Sequence, residues 1–185
     1  MVTKEPDYLG GAWQLPVQLV AGYQLRPHLA VQVGVAGSSY SDHYAFAGRV
    51  YGNSPDGYVN FDRTITVRDV AVSALARYTL TRNAPHRMQF DALGGLTLER
   101  STGFSRGTQA DSVGGTLNVK NFSNRAARNT IFLTASLGTR YHLSPRFELF
   151  YDFTLNKALT GPAPHLAPVG LAGSSALGLR YRFGH

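Results

Sequence analysis

The sequence predicts an all-β fold, an antiparallel up-and-down β-barrel that crosses a membrane, and three observations predict it. Apolar and polar residues alternate with period two along most of the chain, while the 3.6-residue spacing of an amphipathic helix does not recur. The pattern Tyr-x-Leu/Phe occurs four times, as Tyr23-Gln24-Leu25, Tyr78-Thr79-Leu80, Tyr141-His142-Leu143 and Tyr181-Arg182-Phe183, each at the end of an alternating run. The connections also alternate in length. Tight proline turns fall near 26–28, 82–86 and 144–145, and long polar connections near 40–66, 100–128 and 157–172. Aromatic residues at one fixed height, with short turns on one side and long loops on the other, characterise strands that span a bilayer.

The strands follow in order. Leu15, Val17, Leu19, Ala21, Tyr23 and Leu25 share one face, opposite Gln14, Gln18, Gly22 and Gln24. After the Arg26-Pro27-His28 turn, Leu29, Val31, Val33 and Val35 alternate with Ala30, Gln32, Gly34 and Ala36. A hairpin above the membrane follows, with the turn sequence Asn53-Ser54-Pro55-Asp56-Gly57 at its tip. Next, Val70, Val72, Ala74, Ala76, Tyr78 and Leu80 oppose Asp69, Ser73, Arg77 and Thr79. Met88, Phe90, Ala92, Gly94, Leu96 and Leu98 then oppose Gln89, Asp91, Gly95, Thr97 and Glu99. Ile131, Leu133, Ala135, Leu137 and Tyr141 oppose Thr134, Ser136, Gly138, Arg140 and His142. Phe147, Leu149, Tyr151, Phe153 and Leu155 oppose Glu148, Asp152 and Thr154. Last, Leu177, Leu179, Tyr181 and Phe183 oppose Gly178, Arg180 and Arg182.

Composition agrees. A length of 185 residues fits one domain, with 1–12 as a residual loop or tail and 13–183 as barrel strands. Mean hydropathy is only −0.15, as expected when every second strand residue faces lipid. No apolar run reaches the roughly 18 residues of a transmembrane helix. There are no cysteines, which excludes disulfides, thiolate metal sites and cysteine nucleophiles. Net charge is +7, but the basic residues are scattered, without the cluster that a nucleic-acid surface needs. The N-terminal stretch lacks the apolar core of a signal peptide.

Strand parity carries a further expectation. Each Tyr-x-Leu/Phe copy ends a descending strand, which makes four, whereas ascending strands start near 29, 87 and 146, which makes three. Bacterial single-chain barrels have even strand numbers. The expectation is an eight-stranded parent with about seven strands present and the first missing.

The C-terminal run Ser175-Ala-Leu-Gly-Leu-Arg-Tyr-Arg-Phe183, the stretch from Leu15-Pro16-Val17 to Leu25, and the short-turn/long-loop alternation carry a resemblance. Over about 12–183 the chain resembles the small outer-membrane β-barrel proteins of Gram-negative bacteria, the OmpA/OmpX-like and porin-family barrels. The resemblance implies a bacterial outer-membrane location and contact with outer-membrane lipid and lipopolysaccharide. It also implies delivery to the barrel-insertion machinery through the C-terminal strand, and a monomer. Loop residues Arg49, Arg63, Arg100, Arg106, Lys120, Arg125 and Arg128 are the candidate contacts to lipopolysaccharide phosphates.

Two constellations are candidate sites. Arg77, Arg140, Arg180 and Arg182 share the lumen-facing parity with Asp69, Asp91, Glu99, Glu148 and Asp152. An eight-stranded barrel holds only side chains inside, so these charges must pair, as a structural plug or as a gated narrow pore. Tyr23, Tyr78, Tyr141, Tyr181 and Phe183 fit an interfacial girdle. The histidines lack metal-ligand spacing, and no G-x-S-x-G motif is present, so neither metal, cofactor nor catalysis is indicated. The functional expectation is a structural, adhesive or loop-binding role. The alternatives are a soluble lipocalin-like barrel with an apolar ligand and an outer-membrane lipid-modifying enzyme.

Overall fold

A computed structural model describes residues 7–50, 57–81, 87–113, 116–160 and 171–182. It is all-β. Strands β1 (Asp7–Arg26), β2 (Leu29–Val50), β3 (Gly57–Thr79), β4 (Met88–Val113), β5 (Thr116–His142), β6 (Phe147–Ala158) and β7 (Leu171–Tyr181) form one sheet in chain order. The expected tip residues 53–56, the turn at 82–86 and Phe183 lie outside the described residues.

The Tyr-x-Leu/Phe repeats mark the ends of β1, β3, β5 and β7, so these four strands run the same way. Local chemistry makes the stops. Proline lacks the N–H that a ladder needs. At Pro145, the Ser144 hydroxyl accepts from the backbone N–H of Phe147 at 3.1 Å, and Leu143 N–H donates to the Phe147 carbonyl at 3.0 Å. The β6–β7 register pairs Glu148 with Arg180, Phe150 with Gly178 and Asp152 with Ala176 on one face, and Leu149 with Leu179 and Tyr151 with Leu177 on the other. The β5–β6 register pairs His142 with Glu148 and Gly138 with Asp152.

Two expectations need correction. Of residues 100–128, 100–113 belong to β4 and 116–128 to β5 rather than to a loop. Period-two alternation persists there, in small and polar residues (Ser101, Gly103, Ser105 and Gly107 against Thr102, Phe104, Arg106 and Thr108) that read as loop by composition alone. β1 begins at Asp7 rather than after a tail, whereas 40–50 and 57–66 belong to β2 and β3, as expected of a first long connection that extends its flanking strands into a hairpin. The long connections are largely strand because paired backbone satisfies its own polar groups.

The chain packs as two compact units that share strands. One unit comprises 1–17, 37–70 and 100–128, and the other 18–36, 71–99 and 129–185. In the second unit the seven strand segments curl about a common interior. Gln18, Gln32, Arg77, Leu93, Ser136, Asp152 and Ala176, one residue from each strand, line a cavity of about 40 Å³. β1 and β7 are the sheet edges, and 14–27 is exposed on both faces, unlike the central strands.

Candidate functional site: a charged interior within an apolar wall

The second unit is polar inside and apolar outside. On β5, Thr130, Phe132, Thr134, Ser136 and Gly138 are buried, while the intervening Ile131, Leu133, Ala135 and Leu137 are exposed. The buried polar and charged residues are Arg77, Thr79, Asp91, Thr130, Thr134, Ser136 and Glu148. Leu19 is 76% exposed and Leu177 72%, and Val33, Val72, Leu98, Leu133 and Phe153 are exposed with them. Apolar surface in water costs about 25 cal/mol per Å². Soluble monomers rarely expose patches above a few hundred Å². An outer face this apolar fits hydrocarbon.

Register positions the charges. Glu148 on β6 stands between His142 on β5 and Arg180 on β7. It is fully buried and gathers His142 Nδ1 at 3.1 Å, Arg140 Nη1 at 3.4 Å, and Arg180 Nη1 and Arg182 Nη1 at 3.5 Å each. Arg140 also reaches across to β4 and β3. Its Nη2 donates to Asp91 Oδ1 and Thr79 Oγ1 at 2.8 Å each, and its Nε pairs with Asp91 Oδ2. Thr79 Oγ1 donates to Asp91 Oδ1 at 2.9 Å. Arg77 sits farther out, 3.8 Å from Asp91 and 3.9 Å from Asp152, and its Nε has no hydrogen-bond partner among the described residues. Arg180 lies over the Phe150 ring at 5.2 Å, and that ring fills the room that Gly178 leaves.

The structure therefore brings together Arg77, Asp91, Arg140, Glu148, Asp152, Arg180 and Arg182. Asp69 and Glu99 face the same way but lie eight residues farther along β3 and β4 than Arg77 and Asp91. Thr79 joins the network without having been singled out. Its lumen-facing parity was the available signal. A hydroxyl layer follows, in which Thr97 and Thr134 meet at 2.7 Å, Thr134 donates to Asn156 at 2.8 Å, and Thr154 donates to Ser136 at 3.0 Å.

This interior crosslinks five strands by charge. Each buried ion would be costly alone, and several partners per ion offset that cost. The cavity beside Arg77 has room for a few waters, which suits a polar lining. This cavity is too small for an apolar ligand of the kind a lipocalin-like barrel holds. His142 and His43 meet the carboxylates Glu148 and Asp62, not a serine.

Tyr23, Tyr78, Tyr141 and Tyr181 are exposed on the outer face. Tyr181 meets Phe147 edge-on at 5.2 Å, and Tyr78 lies 6.3 Å from the His28 ring.

In the first unit the outward face turns polar, while the inward face mixes aromatic rings with polar and charged side chains such as Arg63, Ser105 and Gln109. Phe46 is buried, and Phe61 stacks on Phe122 at 5.7 Å across Gly107, where a Cβ would collide with the Asp62 carbonyl and the Phe122 ring. Ile65 and Val67 on β3 share the face of Phe61, while Arg68, Thr66, Thr64 and Asp62 occupy the other. Ser41 meets Thr66 at 3.0 Å and His43 meets Asp62 at 2.9 Å. Phe104 and Val119 are exposed exceptions. Burial, then Asp69 and Asp42, raise the Tyr40 phenol above its ordinary range. Of the candidate phosphate contacts, Arg63 instead donates to Ser105 at 2.9 Å, and Arg128 is half-buried. The side chain of Arg49 lies outside the described residues.

No family model matches the chain, and no curated protein matches it. Among solved structures, it is similar to Ail, the attachment invasion locus protein of Yersinia pestis, with 13% identity over 91% of this chain and 93% of that one, and a TM-score of 0.38.

Proposed function

We propose that this chain is a bacterial outer-membrane β-barrel whose second unit is the membrane anchor and whose first unit stands in water. Its role is structural, adhesive or binding through the projecting strands. The observation that carries this reading is the change of polarity along single strands. On β3 the outward face passes from Val72 and Val70 to Arg68, Thr66 and Thr64, while the inward face passes from Arg77, Ser73 and Asp69 to Val67, Ile65 and Phe61, with Arg63 among them. A water-soluble barrel has no reason to change its outward face at that point, whereas a strand that leaves a bilayer must.

The charged interior is a structural plug in this reading. Its ions are held by several partners each, and the space beside them is the size of a few waters. Strand edges are not tolerated in hydrocarbon. β1 and β7 run the same way, so the wall is completed by one further strand, antiparallel to both. β7, with its aromatic end, is the strand offered to the insertion machinery.

Solubility tests the proposal. The purified protein is expected to be monodisperse only with detergent or lipid. Monodisperse protein in plain buffer would refute the membrane reading. Planar-bilayer recordings are expected to show no steady conductance, and a stable open level would replace the plug with a pore.

A further inference from the structure

On three strands an outward basic residue stands ten residues from an outward aromatic one. On β3, Arg68 lies ten residues from Tyr78; on β4, Arg100 lies ten from Phe90; on β6, Lys157 lies ten from Phe147. All six side chains are exposed and share the outward parity of their strands. The outward residues between aromatic and cation are apolar or small: Val70 to Ala76 on β3, Ala92 to Leu98 on β4, and Leu149 to Leu155 on β6.

Ten residues of strand extend about 33 Å, and at the usual tilt of membrane strands they rise about 25 Å, the height of an outer-membrane apolar band. The aromatic side chain thus stands at one face of the hydrocarbon, and the cation at the other. A cation pointing outward at that level faces neither the interior nor open water. It faces the headgroup layer, where long basic side chains lay their stems along apolar surface and reach the phosphates.

The geometry points to Arg68, Arg100 and Lys157 as three headgroup contacts, one per strand, that take the phosphates of anionic lipids in the leaflet opposite the aromatic ends. This rests on the membrane reading above and adds the lipid class and the residues. Arg106, Lys120 and Arg125 lie farther along their strands, beyond that level, and are not part of it. Arginine engages a phosphate through a planar fork and lysine through a point charge, so the arginines hold the larger share.

The test reconstitutes the full chain into phosphatidylcholine vesicles containing trace spin-labelled phosphatidylglycerol or spin-labelled phosphatidylcholine. The ratio of the two motionally restricted fractions reads the preference for anionic lipid. The protein is expected to favour phosphatidylglycerol roughly threefold to tenfold, since each interfacial cation attracts an anionic lipid appreciably. The combined variant Arg68→Gln, Arg100→Gln, Lys157→Gln is expected to bring the ratio near one with the β-sheet circular dichroism unchanged. Arg106→Gln, Lys120→Gln, Arg125→Gln is expected to keep it. A preference that survives the first variant, or is lost in the second, overturns the assignment. Loss of the preference on adding inorganic phosphate at constant ionic strength points to a free-phosphate site and also overturns it. Protein that inserts without any preference defeats this inference alone, whereas protein that never enters the vesicles defeats the membrane reading with it.

Discussion

The part of β3 from Ala71 to Thr79 and the part from Phe61 to Val67 belong to one strand but differ in the polarity of their faces. The first faces Arg77 and Thr79 inward and Val72 and Tyr78 outward; the second faces Ile65 and Phe61 inward, with Arg63 among them, and Thr64 and Asp62 outward. The boundary between the two compact units falls at 70/71 on this strand, 99/100 on β4 and 128/129 on β5, next to the points where the outward face turns polar. Backbone packing and side-chain polarity thus change together. In the membrane reading, charges pair inside where the solvent is hydrocarbon, and aromatic rings share the interior with polar groups where it is water.

The strongest way to break this contrast is through Glu148. Replacing it with alanine removes the shared partner of Arg140, Arg180, Arg182 and His142. Stranding a buried ionic network costs about 3–5 kcal/mol, read as the loss of unfolding free energy in urea with the protein held in lipid. Next comes a paired substitution on the outward faces. Leu137→Arg, in the middle of the apolar wall, is expected to cost about 2–4 kcal/mol by the same measurement. Thr108→Arg, outward on the first unit, is expected to stay within about 0.5 kcal/mol. Equal costs would erase the distinction between the regions.

A smaller effect sharpens the aqueous side. Gly107→Ala forces a methyl against the Asp62 carbonyl and the Phe61–Phe122 stack. It should cost about 1–3 kcal/mol, with hydrogen exchange accelerated in the first unit and unchanged around Glu148. The smallest effect belongs to the half-exposed His43–Asp62 pair, 2.9 Å apart. His43→Ala should change stability by less than about 1 kcal/mol, and 0.5 M salt should shrink even that.

Much of the second unit was legible in the sequence because its alternation is strong in both senses. Leu, Val and aromatic residues mark one face, charges the other, and proline turns fix the ends, so the partners of Glu148 follow once His142 and Arg180 are placed opposite it. The first unit was harder to read. Segments such as Ser101–Thr108 alternate small with polar residues, and that contrast is too weak to separate strand from loop by composition. The Phe61–Phe122 stack spans β4 and joins residues distant in the chain, so only pairing reveals it. Asp69 and Glu99 had the right parity to join the charged cluster but the wrong height, and height along a strand depends on register. Arg68 lies within an expected strand, and Lys157, at the start of an expected connection, belongs to β6.

The central claim is that the outward face meets hydrocarbon in one region and water in the other. With no native cysteine in the chain, single cysteines can be placed at will, as in Val72→Cys, Leu133→Cys and Phe153→Cys within the wall, and Thr64→Cys and Thr108→Cys beyond it. Each carries a small fluorophore and is reconstituted into bilayers of brominated lipid. The account predicts strong quenching at 72, 133 and 153 and little at 64 and 108. Uniform quenching at all five positions, or none at any, would contradict it.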